Sequence, residues 1–132
     1  MAEKILLVDD DPDILDGLGM ILEARGYQVV TAVNGVEGLA SLKADKPDLM
    51  ILDLLMPKMD GFAVLKELQD PRWSKYRDVP VLILTSVREE ASRRRYELEM
   101  GLELNVDDYV EKPAQPDILL KRVERLLSKK KS

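Results

Sequence analysis

The residues of this chain best suited to chemistry are oxygen-bearing side chains at the ends of apolar runs. Asp53 closes Leu49-Met50-Ile51-Leu52, and Pro57 follows four residues on. Asp9, Asp10 and Asp11 close Lys4-Ile5-Leu6-Leu7-Val8, Thr85 and Ser86 close Pro80 to Leu84, and Lys112 lies just past Val110. Each alone has an ordinary explanation: an aspartate starting a turn, acids or a threonine capping a helix, a solvated loop lysine. Brought to one place they make a coherent site. Three carboxylates in one cleft repel, so at least one resists ionisation unless a cation enters. The chain has neither histidine nor cysteine, so a metal must be held by oxygen, which favours Mg²⁺, Mn²⁺ or Ca²⁺. Mg²⁺ keeps several waters and suits one or two side chains from Asp9 and Asp10 plus Asp53. Asp53 is then the carboxylate placed to attack a phosphorus atom and form an aspartyl phosphate. The cation, the Lys112 ammonium and the Thr85 hydroxyl can each neutralise a phosphoryl oxygen, and Ser86 is too small to block the approach.

That convergence needs a particular scaffold. Leu49 to Leu52 offer no polar face, which predicts a strand buried on both sides, as in a parallel sheet. Lys4 to Val8, Tyr27 to Ala32, Pro80 to Ser86 and Val106 to Val110 predict four more strands. Between them lie amphipathic patterns. Asp11 and Pro12 suit the start of a helix carrying Ile14, Leu15, Leu18, Ile21 and Leu22, closed at Gly26. Val36 to Ala44 is a second helix, the stretch through Phe62, Val64, Leu65 and Leu68 a third, and Arg88 to about Glu103 a fourth. Pro116 opens a fifth, whose terminal lysines suit the helix dipole. Asp70 to Asp78, with the only Trp, Trp73, is expected to be a polar connection. Arg93-Arg94-Arg95 is expected to be a solvated helix face, and the methionines Met56, Met59 and Met100 packing or loop residues. Strands alternating with helices predict an α/β, doubly wound, five-stranded parallel sheet with helices on both faces. In such a sheet all carboxyl ends lie along one edge, where open α/β sheets bind ligands.

Bulk properties narrow the classes. The 132 residues are 45% hydrophobic and 34% charged, in keeping with one domain and one core. The reading is a domain over 1–128 and a basic tail over 129–132. No apolar run approaches the roughly 20 residues of a membrane span, and Met1-Ala2-Glu3-Lys4 lacks a signal-peptide plan. The absence of cysteine fits the cytoplasm. The absence of histidine removes histidine-based acid–base catalysis and any role as a phosphohistidine carrier. A net charge of −5 argues against direct DNA binding.

With these residues in this order, the sequence resembles a bacterial two-component response-regulator receiver domain, of the stand-alone, chemotaxis-regulator-like kind. The residues that carry the resemblance are Asp9-Asp10 after Leu6-Leu7-Val8, Asp53 with Met56-Pro57 and Asp60-Gly61, Thr85-Ser86, and Asp108-Tyr109-Val110-Glu111-Lys112-Pro113. It covers essentially the whole chain. It implies a flavodoxin-like (βα)5 fold with strand order 2-1-3-4-5. It implies that Asp53 receives phosphate from a sensor histidine kinase or phosphotransfer protein with Mg²⁺ (or Mn²⁺) required. Asp10 would be the main side-chain ligand, Asp9 would bind directly or through water, and the carbonyl of Leu55 would complete the set. Thr85 and Tyr109 would form a switch pair that alters the surface of helix 4, strand 5 and helix 5 towards a downstream protein target. The Lys112-Pro113 peptide would be cis, cheap only before proline. The family also implies a monomer or a phosphorylation-dependent dimer.

Two departures stand out. The stretch from Thr85 to Lys112 is longer than the family norm by roughly one helical turn, assigned to Arg88–Gly101, and Asn105-Val106 stands where the family often has Gly-Ala. Apolar Leu55 and Val87, two residues past Asp53 and Thr85, predict slow loss of phosphate. The expectation is therefore a switch and not an enzyme beyond self-phosphorylation and slow autodephosphorylation. A phosphohydrolase would want a second aspartate at position 55, and an inert interaction module would be missing part of the pocket.

Overall fold

The computed structural model describes residues 2–100 and 106–131, with the side chains of 87–90, 100, 130 and 131 excepted. The strands are β1 (Lys4–Val8), β2 (Gln28–Ala32), β3 (Leu49–Asp53), β4 (Val81–Thr85) and β5 (Asp108–Glu111). The helices are α1 (Pro12–Ala24), α2 (Gly35–Asp45), α3 (Gly61–Leu68), α4 (Val87–Met100) and α5 (Pro116–Lys131). The strands form one parallel sheet in the order β2-β1-β3-β4-β5. This is the doubly wound, flavodoxin-like architecture expected. Among the described residues no helix is long and apolar enough to cross a membrane.

Alternation along the strands divides the core in two. Ile5, Leu7, Leu49, Ile51, Leu82 and Leu84 face α1 and α5, where Leu15, Leu18, Leu22, Leu119, Val123 and Leu126 meet them. Leu6, Val8, Met50, Leu52 and Ile83 face α2 and α3 through Leu39, Leu42, Phe62, Val64 and Leu65. Every residue of β3 and β4 is buried, which explains why the central runs carry no polar face. Burying each apolar side chain of these two strands stabilises the fold by about 1.5–3 kcal/mol.

Local signals set most helix starts. Asp11, Asn34 and Asp60 each cap a helix by accepting from Asp13, Glu37 and Ala63 amides, satisfying donors the helix leaves open. Gly26, at φ 95°, takes the left-handed turn after α1, where glycine costs least.

Two local expectations change. The 70–78 connection holds a short 3-10 helix, Pro71–Tyr76. Asp70 caps it, with Pro71 in its first turn, and Trp73 turns into the core, donating from Nε1 to Glu67 at 3.0 Å under the Lys43 ammonium. The large apolar ring outweighs the polar composition around it. The fifth strand starts at Asp108 and not Val106, because the Asp107 carboxylate takes the Val81 amide at 2.8 Å and the chain bends there. The lengthened 88–101 segment is helical to Met100; Gly101 and Asn105 lie outside the described residues, as do the side chains of Val87 and Met100. Met56 and Met59 pack on the second half-core.

Candidate functional site

β1 sits between β2 and β3, so the chain leaves its carboxyl end in one direction and β3 serves the other. Such a reversal opens a crevice at that edge. Asp53, the last residue of β3, pairs in register with Leu84 of β4, and Asp9 directly follows β1. Both are buried, at 2% and 1% exposed, while Asp10 is exposed. One carboxylate oxygen from each of Asp9, Asp10 and Asp53 lies within 4.8 Å of the others.

Lys112, 59 residues beyond Asp53 in sequence, reaches this cluster. Its Nζ donates to Asp53 Oδ1 at 2.8 Å and lies 3.6 Å from Asp9 Oδ2. The Lys112 amide donates to the Thr85 carbonyl at 2.7 Å, which joins the ends of β4 and β5, and the Lys112-Pro113 peptide is cis. Thr85 is buried, with its hydroxyl donating to the Ser86 carbonyl at 3.2 Å. Thr85, Ser86, Tyr109 and Lys112 line one open groove of about 1130 Å³ between α4, β5 and α5. Tyr109 is half-buried. Leu55 is half-buried and packs on the second half-core.

Sequence reasoning did not single out the backbone brace beneath Asp53. The Gly61 amide donates to the Leu54 carbonyl at 2.8 Å. A Cβ on Gly61 would collide with the Asp53 carbonyl oxygen and lie 2.8 Å from Leu54 Cα. Only glycine lets α3 start this close to the end of β3. The Asp60-Gly61 pair was visible as a motif, but its packing role needs the tertiary structure.

The electrostatics fit a hard cation. Asp9 Oδ2 is the buried side-chain oxygen, among the described residues, that lacks a hydrogen-bond partner. The Asp9 carboxyl is pushed up to about 6, chiefly because burial penalises its charged form. The Asp11 amide, at 3.0 Å from Oδ1, and Lys112 pull the other way, while Asp53 and Asp10 push it further up. An oxygen-only set of acids with one unanswered buried oxygen is compatible with a divalent metal site.

The pH consequence follows from the sign of that shift. The folded carboxyl holds its proton more tightly than the unfolded one, so its contribution to stability is full below about pH 4 and lost as pH rises through about 6. At most about 3 kcal/mol is involved, at 1.36 kcal/mol per unit. A cation that replaces the proton reverses the loss. The gain in melting temperature on adding Mg²⁺, relative to EDTA, is therefore expected to be small near about pH 5 and large near about pH 7.5. An equal gain at both pH values would contradict the assignment.

A parallel α/β sheet with buried acids, a hydroxyl and a lysine at its switch-point edge defines the class of flavodoxin-like domains with a carboxylate cleft. The chain belongs to the response regulator receiver domain family, whose match covers residues 5–124. Domains of this family are phosphorylated on an aspartate in two-component signalling, and response regulators interact with histidine kinases. The chain is 40% identical over 127 residues to the alkaline phosphatase synthesis transcriptional regulatory protein PhoP of Bacillus subtilis, covering 96% of this chain and 49% of that protein. It is 40% identical over 124 residues to the DNA-binding dual master transcriptional regulator RpaA of Synechocystis, covering 94% and 48%. The chain thus spans about half the length of the curated relatives it matches. Among solved structures, the signal receiver domain of a histidine kinase from Syntrophus aciditrophicus aligns with a TM-score of 0.81 and 37% identity, over 96% of this chain and 91% of that one. The Vibrio cholerae chemotaxis protein CheY4 aligns at 0.77 and 30%, over 96% and 99%.

Proposed function

We propose that Asp53 is the phosphoacceptor of this receiver domain and that the residues around it serve that reaction. The observation that carries the reading is the Lys112 ammonium, which meets Asp53 Oδ1 at 2.8 Å beside Asp9 and Asp10. A phosphohistidine on a sensor kinase or phosphotransfer protein is the donor. An Asp53 carboxylate oxygen forms the new P–O bond as the P–N bond breaks, and that bond's electron pair stays with the imidazole nitrogen. Lys112 and the Thr85 hydroxyl stabilise the phosphoryl oxygens. A divalent ion, Mg²⁺ or in its place Mn²⁺, would be held by Asp9, Asp10, Asp53 and the Leu55 carbonyl and would supply the remaining charge neutralisation.

The product carries more negative charge than the carboxylate it replaces. Thr85 and Tyr109 read that change, and the surface of α4, β5 and α5 passes it to a downstream protein. Turnover is confined to self-phosphorylation and slow hydrolysis, with apolar Leu55 unable to position an attacking water. The domain acts in the cytoplasm, within 1–128, as a monomer or a phosphorylation-dependent dimer.

The test uses phosphoramidate, a small donor with a P–N bond, and intact mass. A single phosphoryl adduct is expected with Mg²⁺ and none with EDTA. A domain unmodified in both sinks the proposal.

A further inference from the structure

The arginine triplet of α4 does not behave as one solvated face. Arg94 and Arg95 are exposed, whereas the Arg93 side chain is only 19% exposed. Its guanidinium pairs with Glu97, one turn on, at 2.5 Å, and Glu97 is equally sheltered. The guanidinium carbon lies 5.0 Å from the centroid of the Tyr109 ring. A cation over an aromatic face is attracted by the ring quadrupole, more so when desolvated.

The surroundings give this contact leverage. α4 is anchored separately by Tyr96, which stacks on Phe62 of α3 with ring centroids 4.9 Å apart and planes 25° off parallel. Tyr109 also borders the open groove that Thr85, Ser86 and Ala91 line. The ring therefore has room to swing towards the end of β4, and Arg93 opposes that movement from α4.

We infer that Arg93 is a latch on Tyr109: a positioning residue that holds the ring against α4 in the unphosphorylated domain, with Glu97 orienting the guanidinium. The inference rests on Tyr109 being part of the readout proposed above. The signal must break the Arg93–Tyr109 contact before the ring can move, so this arginine sets how far the switch leans towards its resting state. Met keeps the length of the Arg stem and removes the cation; Lys keeps the cation.

The experiment is fluorine NMR of the full chain carrying 3-fluorotyrosine at its four tyrosines, assigned by single Tyr→Phe variants, without donor. Arg93→Met is expected to shift the Tyr109 resonance, for a change in ring population of about three- to tenfold. The Tyr96 resonance should stay in place, and Arg93→Lys should keep most of the wild-type Tyr109 position. Three results would overturn the latch: an unmoved Tyr109 resonance in Arg93→Met, a Tyr96 resonance that moves with it (a loosened helix), or a Lys variant indistinguishable from Met (lost packing). Adding beryllofluoride and Mg²⁺ to the wild type tests the acceptor reading separately. If no resonance then moves, that reading fails, while the comparison made without the mimic still decides the latch.

Discussion

Asp53→Asn is expected to abolish the phosphoryl adduct and leave the domain folded. The substitution is nearly isosteric at a site 2% exposed on a strand buried throughout, so the core loses no volume. The amide oxygen still accepts from Lys112, and Lys112 keeps Asp9 Oδ2 at 3.6 Å. Removing one of three clustered carboxylates also relieves repulsion, as the upward push of Asp53 on Asp9 indicates. These effects offset, and stability should change by no more than about 1 kcal/mol. The chemistry has no such compensation, because an amide is not a nucleophile towards phosphorus. Intact mass after phosphoramidate treatment and a thermal melt give the two readings. An adduct at the wild-type level would move the acceptor elsewhere, first to Asp9 or Asp10.

Lys112→Met should strike both fold and reaction. The Lys112 side chain is 20% exposed, but the carboxylates it meets are 3% and 1% exposed. Removing one member of a buried ion pair leaves uncompensated charge, which costs about 3–5 kcal/mol when the pair is fully buried. Partial exposure of the lysine lowers that to about 2–3 kcal/mol here. The loss should appear in EDTA and shrink with saturating Mg²⁺. Adduct formation should slow by about 10²–10³-fold, the usual scale for losing one group that stabilises a developing oxyanion. A variant that melts and reacts like wild type in EDTA and Mg²⁺ respectively would remove Lys112 from the site.

The sheet was legible because its strands are extreme. Leu49 to Leu52 and Val81 to Leu84 are apolar on both faces, and only a doubly covered parallel sheet accommodates that pattern. The acids, Thr85 and Lys112 were legible for a related reason: each ends or follows a strand, so topology alone gathers them at one edge. What was not legible depends on contacts between distant elements. Trp73 sits in a polar stretch, and only the space beside α3 tells it to turn inward. Arg93 has two arginine neighbours of identical composition, and the sequence does not say which of the three faces Tyr109. The Arg93–Glu97 spacing, one helical turn, does not single it out, because Arg95–Glu99 repeats it. Gly61 belongs to the same group, since its closeness to Asp53 exists only once α3 is docked.

The position of β5 at the edge of the sheet has a further consequence. β3 pairs on both sides, with β1 and β4, whereas β5 spans four residues and, among the described residues, pairs only with β4. Backbone amides held from both sides open only with global unfolding, while a short edge strand opens locally at much lower free energy. Asp53 therefore stands on a strand expected to exchange its amides slowly, and Tyr109 on one expected to open more readily. On the proposed reading, the covalent event is recorded on a fixed post, and the strand that relays it lies at the looser edge of the sheet.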